Sequence, residues 1–196
     1  MGKLVEKNME LPEIKVLLEM LKLSNIEAYS HSLRVSKITE SLLQSMAYSD
    51  EEKNEIIKGA LLHDIGKLFV PLNLSQSPIR FTPQELDIVK THAVISYEIV
   101  KSVFSKIVQN ICLYHHEKPN GRGYMSRIQL CNIPDEALLV QVADVYDALT
   151  SARCYKTQYS SERALTIMEE DADNFLLDDR FVAQLKNIIN KGDMEL

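Results

Sequence analysis

Leu61-Leu62-His63-Asp64-Ile65-Gly66-Lys67 sets an imidazole and a carboxylate side by side at the end of an apolar helical run. A glycine, expected to stop the helix, and a lysine follow. Such a pair can serve one metal ion, or two neighbouring ions if the carboxylate lends one oxygen to each. The same dipeptide also occurs as ordinary polar residues at a helix C-terminus, so the other histidines decide between the readings. Upstream, Ser49 to Glu52 has capping-box spacing and opens this helix. Ile56, Ala60 and His63 share one side of it; Ile57, Leu61 and Asp64 share the adjacent one.

Working outward, residues 1–8 read as loose, and Pro12 begins a short helix to about Leu23 with Ile14, Leu17, Leu18 and Leu21 on one face. The next helix runs from about Asn25 to Met46. Its inward stripe is Glu27, His31, Val35, Ile38, Leu42 and Met46, so a carboxylate and an imidazole one turn apart head an apolar face. In isolation that pair is also satisfied by a hydrogen bond to each other. Past an irregular loop, Thr82-Pro83-Gln84-Glu85 gives a second capping box, and the helix it opens lines up Ile88, His92, Ile95 and Ile99. From Ser105 to Glu117, the rows Ile107-Ile111-His115 and Val108-Cys112-His116 both end on imidazoles. Adjacent histidines on an inward face point to metal or phosphate contact, with Cys112 a small buried hydrophobe. Asn120-Gly121-Arg122-Gly123-Tyr124 is a loop that matches neither a P-loop nor a dinucleotide fingerprint. Pro134-Asp135-Glu136 opens a further helix on which Asp144 sits among apolar neighbours, with Asp147 near the end. Helices over 161–171 and 178–191, the latter carrying Phe181, Leu185 and Ile188, complete an all-α chain.

At 196 residues one domain is expected: a helix over residues 1–24 packed on a domain over 25–196. Six glycines and six prolines are few, which favours helices. No apolar run approaches the roughly 18 residues of a membrane span, and the N-terminus reads as neither a signal peptide nor a myristoylation site. Cys112, Cys131 and Cys154 form no CxxC pair, so a reducing, cytoplasmic setting is expected. A net charge of −6 argues against binding a DNA or RNA polymer but not a small anion beside bound cations.

All five histidines fall on helix faces that also carry core residues. Adding Glu27, Asp64 and Asp144 gives donors for two or three divalent ions. With no thiolate pattern, a nitrogen/oxygen site for iron or manganese is favoured over structural zinc.

The same residues carry a family resemblance. HSLRVSKI at 31–38, HDIGK at 63–67, His92, HHE at 115–117, GRGY at 121–124 and ADVYDALTSARCYK at 143–156 resemble, in order and spacing, the HD-GYP domain of the HD phosphohydrolases, which hydrolyses cyclic di-GMP. The resemblance implies an HD-domain helical bundle with extra C-terminal helices. It implies a binuclear centre on His63, Asp64, His92, His115, His116 and Asp144, with His31 in the cluster and Glu27 suited to a third ion. Lys67, Arg153 and Lys156 match residues that hold the substrate's phosphates, with Tyr155 beside them and Asp147 and Arg122 as weaker contacts. His63, Asp64 and Lys67 then form the catalytic set, Asp64 bridging two ions. The product would be linear pGpG or GMP. A water at the metal, or Asp147, would protonate the leaving 3′ oxygen.

Three departures accompany the match. Asn120 and Met125 replace the aspartate and proline of the family's DGxGYP loop, Ser96 stands where a glycine is usual, and Cys154 replaces the proline of an RPYK string. None of them removes a proposed ligand, so the metal centre is expected to survive; loss of the loop's aspartate and proline bears on the loop's conformation, on protein-partner contacts through residues 120–125, and on turnover. A degenerate binder of cyclic di-GMP or of a signalling partner, and a phosphohydrolase for another nucleotide, are the alternatives. No receiver or sensor domain is read in the chain, so regulation is expected from outside it.

Overall fold

The two capping boxes close as their spacing predicts. Glu52 N–H donates to Ser49 Oγ at 3.2 Å and Ser49 N–H donates to the Glu52 carboxylate at 2.8 Å; Thr82 and Glu85 repeat the exchange at 3.3 and 2.8 Å. Each cap stabilises its helix by about 1 kcal/mol. The computed structural model describes residues 3–75, 81–151 and 158–192. Among them the helices are α1 (Lys3–Met9), α2 (Pro12–Ser24), α3 (Ile26–Leu43), α4 (Asp50–Leu62), α5 (Leu72–Ser75), α6 (Pro83–Val100), α7 (Lys106–Tyr114), α8 (Asp135–Thr150), α9 (Ser161–Asp173) and α10 (Asp179–Lys191). Short 3-10 turns lie at Ile65–Phe69 and Leu130–Asn132, and no strand occurs among the described residues. The all-α expectation is borne out.

α8 is the central element: Leu138, Leu139, Val140, Val142, Ala143 and Tyr146 are all buried, the all-round pattern of a helix with no solvent face. It packs on α3, α7 and α9, while α4 packs on α3 and α7. The α3 stripe His31, Val35, Ile38 and Leu42 is buried, as are Ile56, Ile57, Ala60 and Leu61 of α4. Ile14, Leu18 and Leu21 of α2 join the same core.

Three local readings need correction. Residues 3–9 form a helix rather than a loose arm: Val5 is buried, and Leu4 N–H donates to the Glu40 carboxylate of α3 at 3.0 Å. Gly66 does not stop α4, which ends at Leu62; the chain winds on as a 3-10 turn through it. On α6 the inward face is His92, Ala93, Ser96 and Val100, while Ile88 is 45% exposed. The reason is Gly66. A Cβ there would lie 2.1 Å from the His92 carbonyl oxygen and 2.7 Å from Ser96 N. The 3-10 turn therefore presses onto α6 along its small residues, and Gly66 N–H donates to Ser96 Oγ at 2.8 Å. Ser96, a departure from the family pattern, thus acquires a partner in the turn that carries Asp64.

Candidate metal centre

His63 caps the end of α4, His115 that of α7, and His92 lies midway along α6. In all three the Nδ1 atom points back at its own helix. It donates to the Ala60 carbonyl at 2.8 Å (His63), to Val89 at 2.6 Å (His92), and to Ile111 and Cys112 at 3.0 and 3.2 Å (His115). A carbonyl can only accept, so the ring proton resides on Nδ1 and Nε2 keeps a bare lone pair. Those of His92 and His115 converge, with Nε2 atoms 3.4 Å apart, and His116 Nε2 joins them at 3.1 Å from His92 Nε2. The two unprotonated nitrogens of His92 and His115, facing each other in a buried site, repel unless a cation sits among them.

Asp64 supplies negative charge to both sides of this point. Its Oδ1 is 3.3 Å from His92 Nε2, and its Oδ2 is 3.4 Å from His63 Nε2 and 3.7 Å from His31 Nε2. Two donor sets result, Asp64-His92-His115-His116 and His31-His63-Asp64, each with ligand atoms within 4.8 Å of one another. Asp64 alone belongs to both. His63 Nε2 and Asp64 Oδ1 are buried with no hydrogen-bond partner. Orphaned acceptors of this kind, all nitrogen or oxygen, fit a pair of divalent cations.

The electrostatics agree. Burial pushes the His92 and His116 imidazoles below their ordinary pKa, and burial with the neighbouring His63 and His92 takes His115 down to about 3. Burial would raise Asp64, yet the charge of Lys67 holds it well below the usual carboxylate range; Lys67 Nζ rests directly on Asp64 Oδ2. The His92, His115 and His116 imidazoles are thus neutral beside an anionic Asp64, the protonation states that ligate metal.

His31 is aimed differently, by side chains of α8. Its Nδ1 is 2.6 Å from Asp147 Oδ2, and its Nε2 is 3.0 Å from Asp144 Oδ1. Burial lowers its pKa, but the hydrogen bonds it donates to Asp144 and Asp147 outweigh this and carry it to about 9. Asp144 is held below the ordinary range: burial opposes, the His31 hydrogen bond prevails. Asp147 also takes Arg34 and Ser151, and despite its burial these hydrogen bonds with that of His31 hold it at about 2. It has no proton to give at neutral pH and is enclosed behind His31. To act as a substrate contact or as the acid for the leaving oxygen, Asp147 would have to be released from His31 and Arg34.

The remaining expected residues divide. Glu27 lies one turn before His31, half-buried, and belongs to neither donor set. Arg122 is exposed. Arg153, Tyr155 and Lys156 lie outside the described residues. Three residues that sequence reasoning did not single out flank the centre. Glu117 is fully buried, and one of its oxygens accepts the Ser126 and Arg127 N–H groups at 2.6 and 3.0 Å, tying down the loop. Tyr124 stacks on His116 at 4.7 Å between ring centroids, with Lys90 Nζ 5.5 Å from the Tyr124 centroid. Gln141 donates to the His115 carbonyl at 3.0 Å. The sequence signal for Glu117 was its place directly after the two histidines.

Comparison with known proteins extends the picture. The chain is 35% identical over 161 residues to a cyclic di-GMP phosphodiesterase of Thermotoga maritima, covering 80% of this chain and 44% of that protein. It is 36% identical over 138 residues to a cyclic di-GMP phosphodiesterase response regulator of Xanthomonas campestris, covering 69% and 36%. The chain thus spans less than half the length of either relative. In fold it is similar to an HDG"Y"P protein from Bdellovibrio bacteriovorus, with a TM-score of 0.68 at 23% identity over 95% of this chain and 68% of that one. The expected kinship is borne out. The family model described as HD domain matches residues 15–181, and this chain belongs to the HD domain family.

Proposed function

We propose that this chain is a metal-dependent phosphodiesterase that hydrolyses cyclic di-GMP to linear pGpG, to GMP, or to both. The observation that carries the reading is the meeting of the His92, His115 and His116 Nε2 atoms beside Asp64, in a chain similar to two cyclic di-GMP phosphodiesterases. Asp64, His92, His115 and His116 would hold one ion and His31, His63 and Asp64 another. Asp144 would complete the His31 side, and Glu27 would join for a third ion. Iron is favoured, with manganese as the alternative, because every donor is imidazole or carboxylate. When bound, the ions supply Lewis acidity that activates water and stabilises charge building on the phosphoryl oxygens.

The chain's own side chains do the rest. Asp64 holds the two donor sets in register with one rigid carboxylate. Lys67, at 24% side-chain exposure, is reachable from solvent while anchored on Asp64. It would serve as a point charge for a non-bridging phosphate oxygen. Arg153, with Tyr155 and Lys156, would grip the substrate's phosphates, as the resemblance implies. Exposed Arg122 and Met125 are the loop positions open to a signalling partner.

The test is anaerobic incubation of iron- or manganese-loaded protein with cyclic di-GMP, followed by chromatography of the nucleotides. Linear product is expected. Tight retention of intact cyclic di-GMP without product would overturn the reading in favour of a binder, and hydrolysis of a different nucleotide alone would overturn the substrate.

A further inference from the structure

His63, His92 and His115 are each aimed by a carbonyl of their own helix, so their orientation survives as long as the helix does. His31 is the exception. It sits early in α3, and its Nδ1 is held by Asp147 of α8, 116 residues away in sequence. What holds Asp147 therefore decides where His31 points.

That grip comes largely from Arg34. Its Nε donates to Asp147 Oδ1 at 2.6 Å and its Nη2 to Asp147 Oδ2 at 3.0 Å, one bond to each oxygen. A planar guanidinium forked onto both oxygens fixes the plane of the carboxylate as well as its position. Ser151 Oγ adds a third donor at 2.7 Å. Arg34 lies three residues after His31 on α3, hence on the same face, so one helix clasps Asp147 with two side chains a turn apart. The imidazole caught between is left with Nε2 facing Asp144 Oδ1 and Asp64 Oδ2.

We propose that Arg34 is a positioning residue for one half of the metal centre: by locking Asp147 it aims His31 into the His31-His63-Asp64 donor set and leaves the other set untouched. The inference rests on the two-ion reading above. Its distinguishing feature is selectivity, because His92, His115 and His116 make no contact with Asp147 or Arg34 in any hydrogen bond or ion pair of the described residues.

The experiment is titration of metal-free protein with Mn2+, following free Mn2+ by electron paramagnetic resonance, for wild type, Arg34→Met, Arg34→Lys and Asp147→Asn. Far-UV circular dichroism of the metal-free forms reports on folding. Wild type should take up two ions. Arg34→Met and Asp147→Asn should keep one at wild-type affinity and bind the other about 10–100-fold more weakly, the usual effect of removing a group that orients a ligand. Arg34→Lys should recover only part of the loss, since an ammonium cannot fork. Two ions at wild-type affinity in Arg34→Met, or equal weakening of both in a folded variant, would overturn the inference while leaving the two-ion reading intact. Should Arg34→Met fail to fold, Arg34→Lys and Asp147→Asn decide by the same criterion. Wild type that binds no Mn2+ overturns the two-ion reading and the inference together.

Discussion

Replacing Gly66 by alanine adds a single methyl group at the tightest point beside the metal centre. The new Cβ would lie 2.1 Å from the His92 carbonyl oxygen, 2.7 Å from Ser96 N and 2.9 Å from the His92 carbonyl carbon. All three are α6 backbone, so no side chain can swing aside. Reaching ordinary contact at 3.4 Å requires the 3-10 turn and α6 to part by about 1.3 Å. Overpacking of this kind costs about 1–3 kcal/mol, and loss of the buried hydrogen bond from Gly66 N–H to Ser96 Oγ adds about 1 kcal/mol. A loss of about 2–4 kcal/mol is therefore expected in urea unfolding of the metal-free protein. The same displacement carries His92 away from Asp64. Ligand distances in metal sites are held within about 0.2 Å, so a shift several times larger should remove the ion of the His92 set even where the protein still folds. Denaturation midpoints and elemental analysis of the same preparation check both halves. Wild-type stability together with full metal content would refute the reasoning, since it would mean that the turn and α6 are not in hard contact.

Acid should loosen the metal-free protein. His92, His115 and His116 have folded pKa values depressed below the unfolded 6.5, so below that pH the unfolded chain takes up protons that the folded chain refuses. Each such histidine lowers stability by up to about 1.4 kcal/mol per pH unit across its window, which for His115 extends down to about 3. His31 acts oppositely: raised to about 9, its contribution is complete below 6.5 and lost as pH rises through 9. Urea midpoints should thus fall from pH 7 to pH 5, and again towards pH 10; a flat profile from 7 to 5 contradicts the site's electrostatics. Lys67→Ala should retain metal within about tenfold yet lower kcat/KM by roughly 10–100-fold, because it removes a charge on phosphate and no ligand. Elemental analysis and steady-state kinetics separate the two, and wild-type kcat/KM would remove Lys67 from the reaction.

The histidines were legible because each interrupts an apolar row, and a helix repeats its faces regardless of what surrounds it. What escaped was set by neighbours. On α6 the isoleucines Ile88, Ile95 and Ile99 carry the strongest apolar signal, but the buried face runs through Ala93 and Ser96, small residues without one, because the backbone at Gly66 needs the room. α1 escaped because a carboxylate from another helix, Glu40, ties down its first turn. Asp147 read as a polar residue near a helix end. Only the packing of α3 against α8 shows it buried, and only then does Arg34 acquire a meaning beyond a charge on α3. Buried polar residues that serve other side chains leave no periodic trace.

The altered loop can be weighed in the same terms. Asn120 Oδ1 accepts the Arg122 N–H at 3.0 Å, a task an aspartate oxygen performs equally, and its amide nitrogen donates to the Asn174 carbonyl at 3.3 Å, which an aspartate could not. The turn beneath it needs Gly121 at φ +73° and Gly123, where a Cβ would fall 2.4 Å from Glu117 Cα, and both glycines are present. Glu117 anchors the far end through two backbone N–H groups, and Tyr124 lies on His116. Every contact that ties this loop to the histidine cluster is thus made by residues other than Asn120 and Met125. Met125, 42% exposed, faces outward. Neither substituted side chain makes a hydrogen bond or ring contact with His115 or His116 among the described residues.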